Sequence, residues 1–351
     1  MRSYDALYRY LYFFIVIMSG LFSSCSGDDV YTDKSPWAVV GRMNIPRMAA
    51  ASAVVEDVIY VIGGSHEKGY IADSEWVKVS SNGMLIQWKK APSLIVPRGY
   101  AAVAAYKGYV YAIGGANGEH GNNLLNTIER ALINPDGSLG RWIMEKSKMF
   151  SRRRAGTAFA AHGFLYAIGG YNGEFLDTVE RAPINKDGSL GKWELMLPIM
   201  LNRRYIHASA YTGRYVYVIG GHDRTTGGAL NKVELAEVKD NGDLSEWVEA
   251  KPINAARYGT SAVSVNGFLW LVGGYDGRAL DAVEREGVNS DGTIMPWDIV
   301  SHLAIPRNSP SAVVYKNNLY VIGGSDDKGR YLNSIEAVQI SDNGEVRVWK
   351  R

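Results

Sequence analysis

The 351-residue chain has one cysteine, Cys25, which excludes a disulfide framework within it, a cysteine-rich zinc site and a cysteine nucleophile in the body of the protein. Proline is scarce at 11 residues, and no sign of charge dominates: 38 Lys and Arg face 36 Asp and Glu, a net of +2. A polyanion-binding protein needs a lopsided balance or a dense basic stripe, so the composition argues against nucleic acid as a partner. No apolar run reaches the ~20 residues of a membrane-spanning helix. No amphipathic helical pattern of useful length occurs, and neither a Gly-x-Ser-x-Gly nucleophile motif nor a phosphate-binding loop is present. Glycine (39) and tyrosine (22) are abundant instead. Many turns and many aromatic strands suit that mix better than helices do.

Residues 1–25 read as an export signal. Arg2 and Arg9 precede an apolar stretch of 13 residues from Tyr10 to Phe22, and the small residues Ser23 and Ser24 follow. Leu21-Phe-Ser-Ser-Cys25 resembles a bacterial lipobox, with Phe22 where Leu is usual. The resemblance implies that Cys25 is the lipid-attachment residue and that residues 26–36 are a short tether. The protein is then expected to be exported and lipid-anchored in the bacterial cell envelope, two acyl chains being enough for stable attachment. Ser26 after the cysteine points to the outer membrane. Gly27-Asp28-Asp29 resembles acidic stretches that send some lipoproteins to the cell surface, and the membrane face stays open.

The remainder repeats itself. Paired glycines begin at Gly63, Gly114, Gly169, Gly220, Gly273 and Gly323, at spacings of 51, 55, 51, 53 and 50. Three residues before each pair stands an aromatic: Tyr60, Tyr111, Tyr166, Tyr217, Trp270 and Tyr320. Sixteen residues before each stands an arginine: Arg47, Arg98, Arg153, Arg204, Arg257 and Arg307. A second frame runs back from Trp88, Trp142, Trp193, Trp247, Trp297 and Trp349. Five residues before each is a glycine, and thirteen before is a glutamate: Glu75, Glu129, Glu180, Glu234, Glu284 and Glu336. Periods near 50 residues signify a solenoid, a propeller or an array.

Each unit reads as four short strands. In the third, Thr157–Ala161, a His162-Gly163 hairpin turn, Phe164–Ile168, Thr178–Ala182 and Leu190–Leu195 follow in order. The first strands are rich in small residues, as in Ala49-Ala-Ala-Ser-Ala53 and Ala101-Ala-Val-Ala-Ala105. Strands nearest an axis have little lateral room, whereas aromatics fill the widening gap further out. That gradient predicts sheets stacked radially into a propeller.

Here the chain resembles the kelch family. The resemblance is carried by Leu165 and Tyr166-Ala-Ile-Gly-Gly170, by Val179-Glu180-Arg181, by the spaced Trp193 and by Ile45-Pro46-Arg47, and it covers residues 37–351 in six in-phase copies. It departs from the family where Val77, Ala131, Ala182, Ala236, Glu286 and Val338 replace the usual Tyr. It implies an all-β, six-bladed kelch-type propeller with four antiparallel strands per blade. Blades are expected at about 47–92, 98–147, 153–198, 204–251, 257–301 and 307–351. Two segments compete for the last outer slot, Ser35-Pro-Trp-Ala-Val39 and Glu345-Val-Arg-Val-Trp349. The expectation favours the C-terminal strand in place, with 37–46 adding as an extra outer strand.

Strand direction places the post-diglycine loops and the loops leading into each first strand on one rim. Varied polar loops on a rigid scaffold are where binding concentrates. The ligand-binding candidates are the six repeat arginines Arg47, Arg98, Arg153, Arg204, Arg257 and Arg307, with Arg152, Arg154 and Arg203 as extras, and the non-repeating His120, Tyr171, His222 and Tyr275. A residue present in every repeat is first a folding device, so pairing of each arginine with a glutamate competes with ligand binding. The six glutamates, mid-strand, read as structural. No cofactor, metal or catalytic residue is indicated. The Asn-x-Asp-Gly turns lack the third acidic ligand and closing Glu of a calcium loop, and His66, His120, His207 and His222 have no ligand spacing. The resulting expectation is a monomeric, non-enzymatic module recognising a protein, peptide or glycan. The alternative is a carbohydrate-active enzyme, since exported bacterial kelch proteins include sialic-acid mutarotases; it requires a rim acid facing an arginine in an axial pocket.

Overall fold

The structure, a computed structural model, describes residues 35–224 and 228–349; the export signal, Cys25 and most of the tether lie outside them. Six antiparallel sheets follow one another along the chain. Ala51–Val55, Val58–Ile62, Ser74–Lys78 and Lys89–Ala91 form the first blade from axis to periphery. The third blade holds Thr157–Ala161, Phe164–Ile168, Val179–Pro183 and Glu194–Leu195, close to the strands expected there. Among the described residues there is no α-helix, only a 3-10 turn at Glu119–Gly121. The apolar cores lie between neighbouring blades. One packs Leu165 and Trp193 of the third blade with Tyr111 and Ile128 of the second.

The last blade differs from expectation. Ala38–Arg42 takes the outer slot, with Val39 opposite Glu336. This is the place that Lys90 holds opposite Glu75 and Leu195 opposite Glu180. Trp37 is buried with Trp270, Leu319 and Val338. The C-terminal Val346–Arg347 meets only the far end of the same strand, at Gln339 and Ile340. Chain continuity explains the outcome. Every outer strand runs into the loop ending at the next blade's arginine. Ala38–Arg42 does the same, running on to Arg47 at the entry of the first blade, and Val346–Arg347 keeps the place next to the turn that Leu85 holds opposite Val79.

Three rings of hydrogen bonds close the circle. At the axis, Ala49, Tyr100, Ala155, Ile206, Gly259 and Ser309 all have φ between 48° and 59°. Each donates its N–H to the matching carbonyl of the preceding blade at 2.7–3.0 Å, the ring closing from Ala49 to Ser309. Further out, the second glycine of each pair donates to the carbonyl of the next blade's arginine, Gly64 to Arg98 at 2.9 Å and, across the termini, Gly324 to Arg47 at 2.9 Å. This close approach requires the diglycine: a Cβ on Gly63 would lie 2.3 Å from the Arg98 carbonyl oxygen. On the opposite rim, Tyr60, Tyr111, Tyr166, Tyr217 and Tyr320 donate their hydroxyls to the turn glycines Gly137, Gly188, Gly242, Gly292 and Gly83 of the following blade. Blade 5 has Trp270 at this position, and Arg285 reaches Gly344 instead.

Candidate functional site

The six repeat arginines do not face the rim. All are buried with six glutamates. In each blade Nη1 donates to the carbonyl of the first glycine sixteen residues on, at 2.7–3.2 Å. The guanidinium pairs with Glu75, Glu129, Glu180, Glu234, Glu284 or Glu336. The same carboxylates accept backbone N–H groups from the leading loops, at Asn44, Ile95, Phe150, Leu201, Asn254 and Ala304. Burial pushes the guanidinium pKa down at Arg47, Arg98, Arg153, Arg204 and Arg307, and the paired glutamate opposes that shift. As ligand candidates these arginines are corrected by the geometry: a buried cation requires a partner, and each has a glutamate of its own blade.

The rim carries other residues. The two loop sets lie side by side through isolated backbone bridges, among them Arg154 to Tyr171, Tyr205 to His222 and Tyr258 to Tyr275. Their side chains form a continuous aromatic arc over blades 3, 4 and 5. Phe175 stacks on Tyr205 at 4.9 Å between centroids, and Tyr171 lies 5.8 Å from Phe175 and 5.7 Å from Tyr205. His222 sets its edge against Phe175, Tyr205 and Tyr258 at 5.8, 5.5 and 5.4 Å, and Tyr258 continues to Tyr275 at 5.4 Å. All six rings are half-buried. They are held by their neighbours while leaving ring surface free, so little conformational freedom remains to be lost on binding.

Arg154 ends the arc. Its guanidinium lies 5.2 Å from the Tyr171 ring and makes long hydrogen bonds to the carbonyls of His120 and Gly121, 3.4 and 3.3 Å. Among the described residues it has no carboxylate partner. Tyr100 stands at the channel mouth, its hydroxyl pKa pushed up to about 12 by burial and by Tyr70, against the opposing charge of Arg154. Below the mouth is a cavity of about 200 Å³, walled mainly by Ala, Gly, Ser and Thr at the entry of all six first strands, with Val103, Ile206 and Pro310 among them. Its one titratable group besides Tyr100 is His207, buried, with Nε2 3.1 Å from Thr157 Oγ1. No carboxylate lines it.

Of the non-repeating candidates, Tyr171, His222 and Tyr275 are brought together in the arc, and His120 lies on the exposed turn beside Arg154. Phe175, Tyr205 and Tyr258 were missed. A signal existed for the last two: the residue after each repeat arginine is Met48, Gly99, Arg154, Tyr205, Tyr258 and Asn308, and two of the six are aromatic. The histidines do not converge, and among the described residues no cluster of three His, Cys, Asp or Glu could hold a metal. The Asp-Gly turns satisfy themselves: Asp136 accepts from Ser138 N–H and Oγ, which holds its carboxyl below the usual range. No helix among the described residues is long and apolar enough to cross a membrane.

Comparison with known proteins agrees with this architecture. The fold defines a six-bladed β-propeller. A solved structure described as that of YjhT superposes with a TM-score of 0.70, covering 89% of this chain and 100% of its own at 17% identity. The Kelch motif model matches residues 97–130 and 306–343. Beta-scruin of Limulus polyphemus is 27% identical over 197 residues, covering 54% of this chain and 20% of its own. Kelch-like protein 36 of Bos taurus is 25% identical over 268 residues, covering 71% of this chain and 40% of its own. The Kelch repeat and BTB domain-containing protein 1 of camelpox virus is 23% identical over 244 residues, with 69% and 40% covered. The chain thus spans well under half the length of these three relatives. The motif matches and these relatives support a kelch-repeat chain.

Proposed function

We propose that the protein is a non-enzymatic recognition module that binds a peptide, protein or glycan across the aromatic arc at the channel mouth, and that it is held to a membrane through Cys25. The observation that carries this reading is the arc itself, in which six half-buried rings from three adjacent blades end at an arginine that has no carboxylate partner among the described residues. Aromatic faces serve peptide side chains and sugar rings alike, and a rim arginine serves a carboxylate or a carbonyl. Kelch propellers are interaction modules, which supports the same reading. The carbohydrate-enzyme alternative asks for an acid facing an arginine in the axial pocket. The described channel wall has neither, and the repeat arginines are paired within the blades.

The test is a screen of peptide and glycan arrays with the full chain, followed by exchange-NMR of anomers for any sugar bound. Binding that is lost in Tyr205→Ala and Tyr258→Ala, with no acceleration of anomer exchange, is the expected result. Anomer-specific acceleration would replace the binding module with an enzyme. For the anchor, Cys25→Ala is expected to release the protein from membranes, and unchanged retention contradicts it.

A further inference from the structure

Blade 3 breaks the repeat pattern on its outer edge. From Leu195 to Leu201 the chain reads Leu-Met-Leu-Pro-Ile-Met-Leu, and alternate residues face opposite ways. Met196 and Met200 are buried, while Leu195, Leu197, Ile199 and Leu201 are exposed, Leu197 to 75%. Five residues before the repeat arginine, where this connection carries Ile199, the others carry Arg42, Ser93, Lys148, Pro252 and His302. An exposed aliphatic five residues before the arginine is therefore no requirement of the blade, whereas the places of Leu195 and Leu201 carry exposed apolar residues in other blades too, among them Val39, Ile299 and Ile95. Phe150, 64% exposed, adds to the patch: its N–H is held by Glu180, whose backbone pairs with Leu195.

The surrounding charge has one predominant sign. Arg141, Lys146, Lys148, Arg152, Lys186 and Lys192 are exposed, and none forms an ion pair among the described residues. Ser147 Oγ donates to the Gly191 carbonyl at 2.5 Å, which brings Lys146 and Lys148 beside Lys192 at the seam of blades 2 and 3. Two exposed acids lie among these cations: Glu194, paired with Arg181 at 2.5 Å, and Asp187, next to Lys186, which accepts from Ser189. Protein interfaces are enriched in Tyr, Trp and Arg and depleted of Lys. Leucine, isoleucine and phenylalanine tips among unpaired lysines are instead the combination that anionic bilayers attract, the apolar tips entering the headgroup boundary while the ammonium groups meet phosphates.

We propose that the outer edge of blades 2 and 3 docks on an anionic lipid bilayer, with Leu195, Leu197, Ile199 and Leu201 at the contact and Lys146, Lys148 and Lys192 beside it. This contact stands independently of lipid attachment at Cys25 and of the aromatic arc. The experiment uses the full chain carrying Cys25→Ser and Leu197→Cys, labelled with an environment-sensitive fluorophore and mixed with phosphatidylglycerol–phosphatidylcholine vesicles. A second protein carries the label through Arg42→Cys on blade 6. The expected result is a blue shift at position 197 that nitroxide lipids quench, no shift at position 42, and apparent vesicle affinity about tenfold or more weaker with Lys146→Glu, Lys148→Glu and Lys192→Glu combined. An unshifted probe at position 197, as when a protein covers this edge instead, overturns the proposal. So do equal shifts at both positions, or affinity unchanged by charge reversal.

Discussion

The N–H of Ala49, at the start of the first blade, donates to the carbonyl of Ser309, at the start of the last, at 3.0 Å. It is the step that turns five identical contacts between consecutive blades into a closed ring. The outer strand Ala38–Arg42 closes the same circle at the periphery. Closure therefore depends on a segment that the repeat count alone leaves outside the blades.

Trp37 tests that dependence. It is buried in the core between blades 5 and 6, and its Nε1 donates to Ser301 Oγ at 3.0 Å. Trp37→Ala is expected to cost about 3–5 kcal/mol in urea unfolding, the range for a large buried side chain. A loss below about 1 kcal/mol would mean that the N-terminal strand does not close the ring.

Glu129 tests the buried pairs. Its carboxylate holds Arg98 and the N–H groups of Ile95 and Val96. Glu129→Ala leaves a buried cation and two donors unpaired, and is expected to lower stability by about 3–5 kcal/mol. Arg98→Met with Glu129→Leu removes both charges and should recover part of that loss in thermal unfolding.

His207 gives a pH dependence. Burial, with the nearby charges of Arg204 and Arg153, depresses its pKa from 6.5 to about 3. Between those values the unfolded chain binds a proton that the folded chain refuses. Stability from this group is full above pH 6.5 and falls as pH drops, by about 2 kcal/mol near pH 5. His207→Ala, the residue that Ala50 and Ala101 supply at the matching place, should flatten that part of the curve in denaturant titrations at several pH values. Parallel curves for both proteins would contradict the assignment.

Much of this fold was legible because its fixed points are backbone requirements repeated six times. The diglycines answer the approach of the next blade's arginine carbonyl, and the sixteen-residue interval from each arginine matches its bond to the glycine carbonyl. The direction of those arginines was not legible. A loop position places a residue at the rim but does not say whether its side chain turns outward or in toward a glutamate. The arc was half legible. Tyr171, His222 and Tyr275 stand out because they follow diglycines, whereas Phe175 joins them only through the packing of its loop on Tyr205. The closing strand was misplaced because Trp37 and Trp349 carry the same local pattern, and only the connection onward to Arg47 separates them.

The central claim is that recognition occurs on the aromatic arc and not on the repeated arginines or the opposite rim. The most direct measurement compares array binding by the full chain with that of Tyr205→Ala, Tyr258→Ala and, as a control on the far rim, Asn241→Ala. The account predicts that ligands bound by the unaltered chain lose about tenfold or more affinity in the two arc variants, each removing an aromatic anchor, and keep it in the control. Ligands that bind both arc variants at full strength would contradict it.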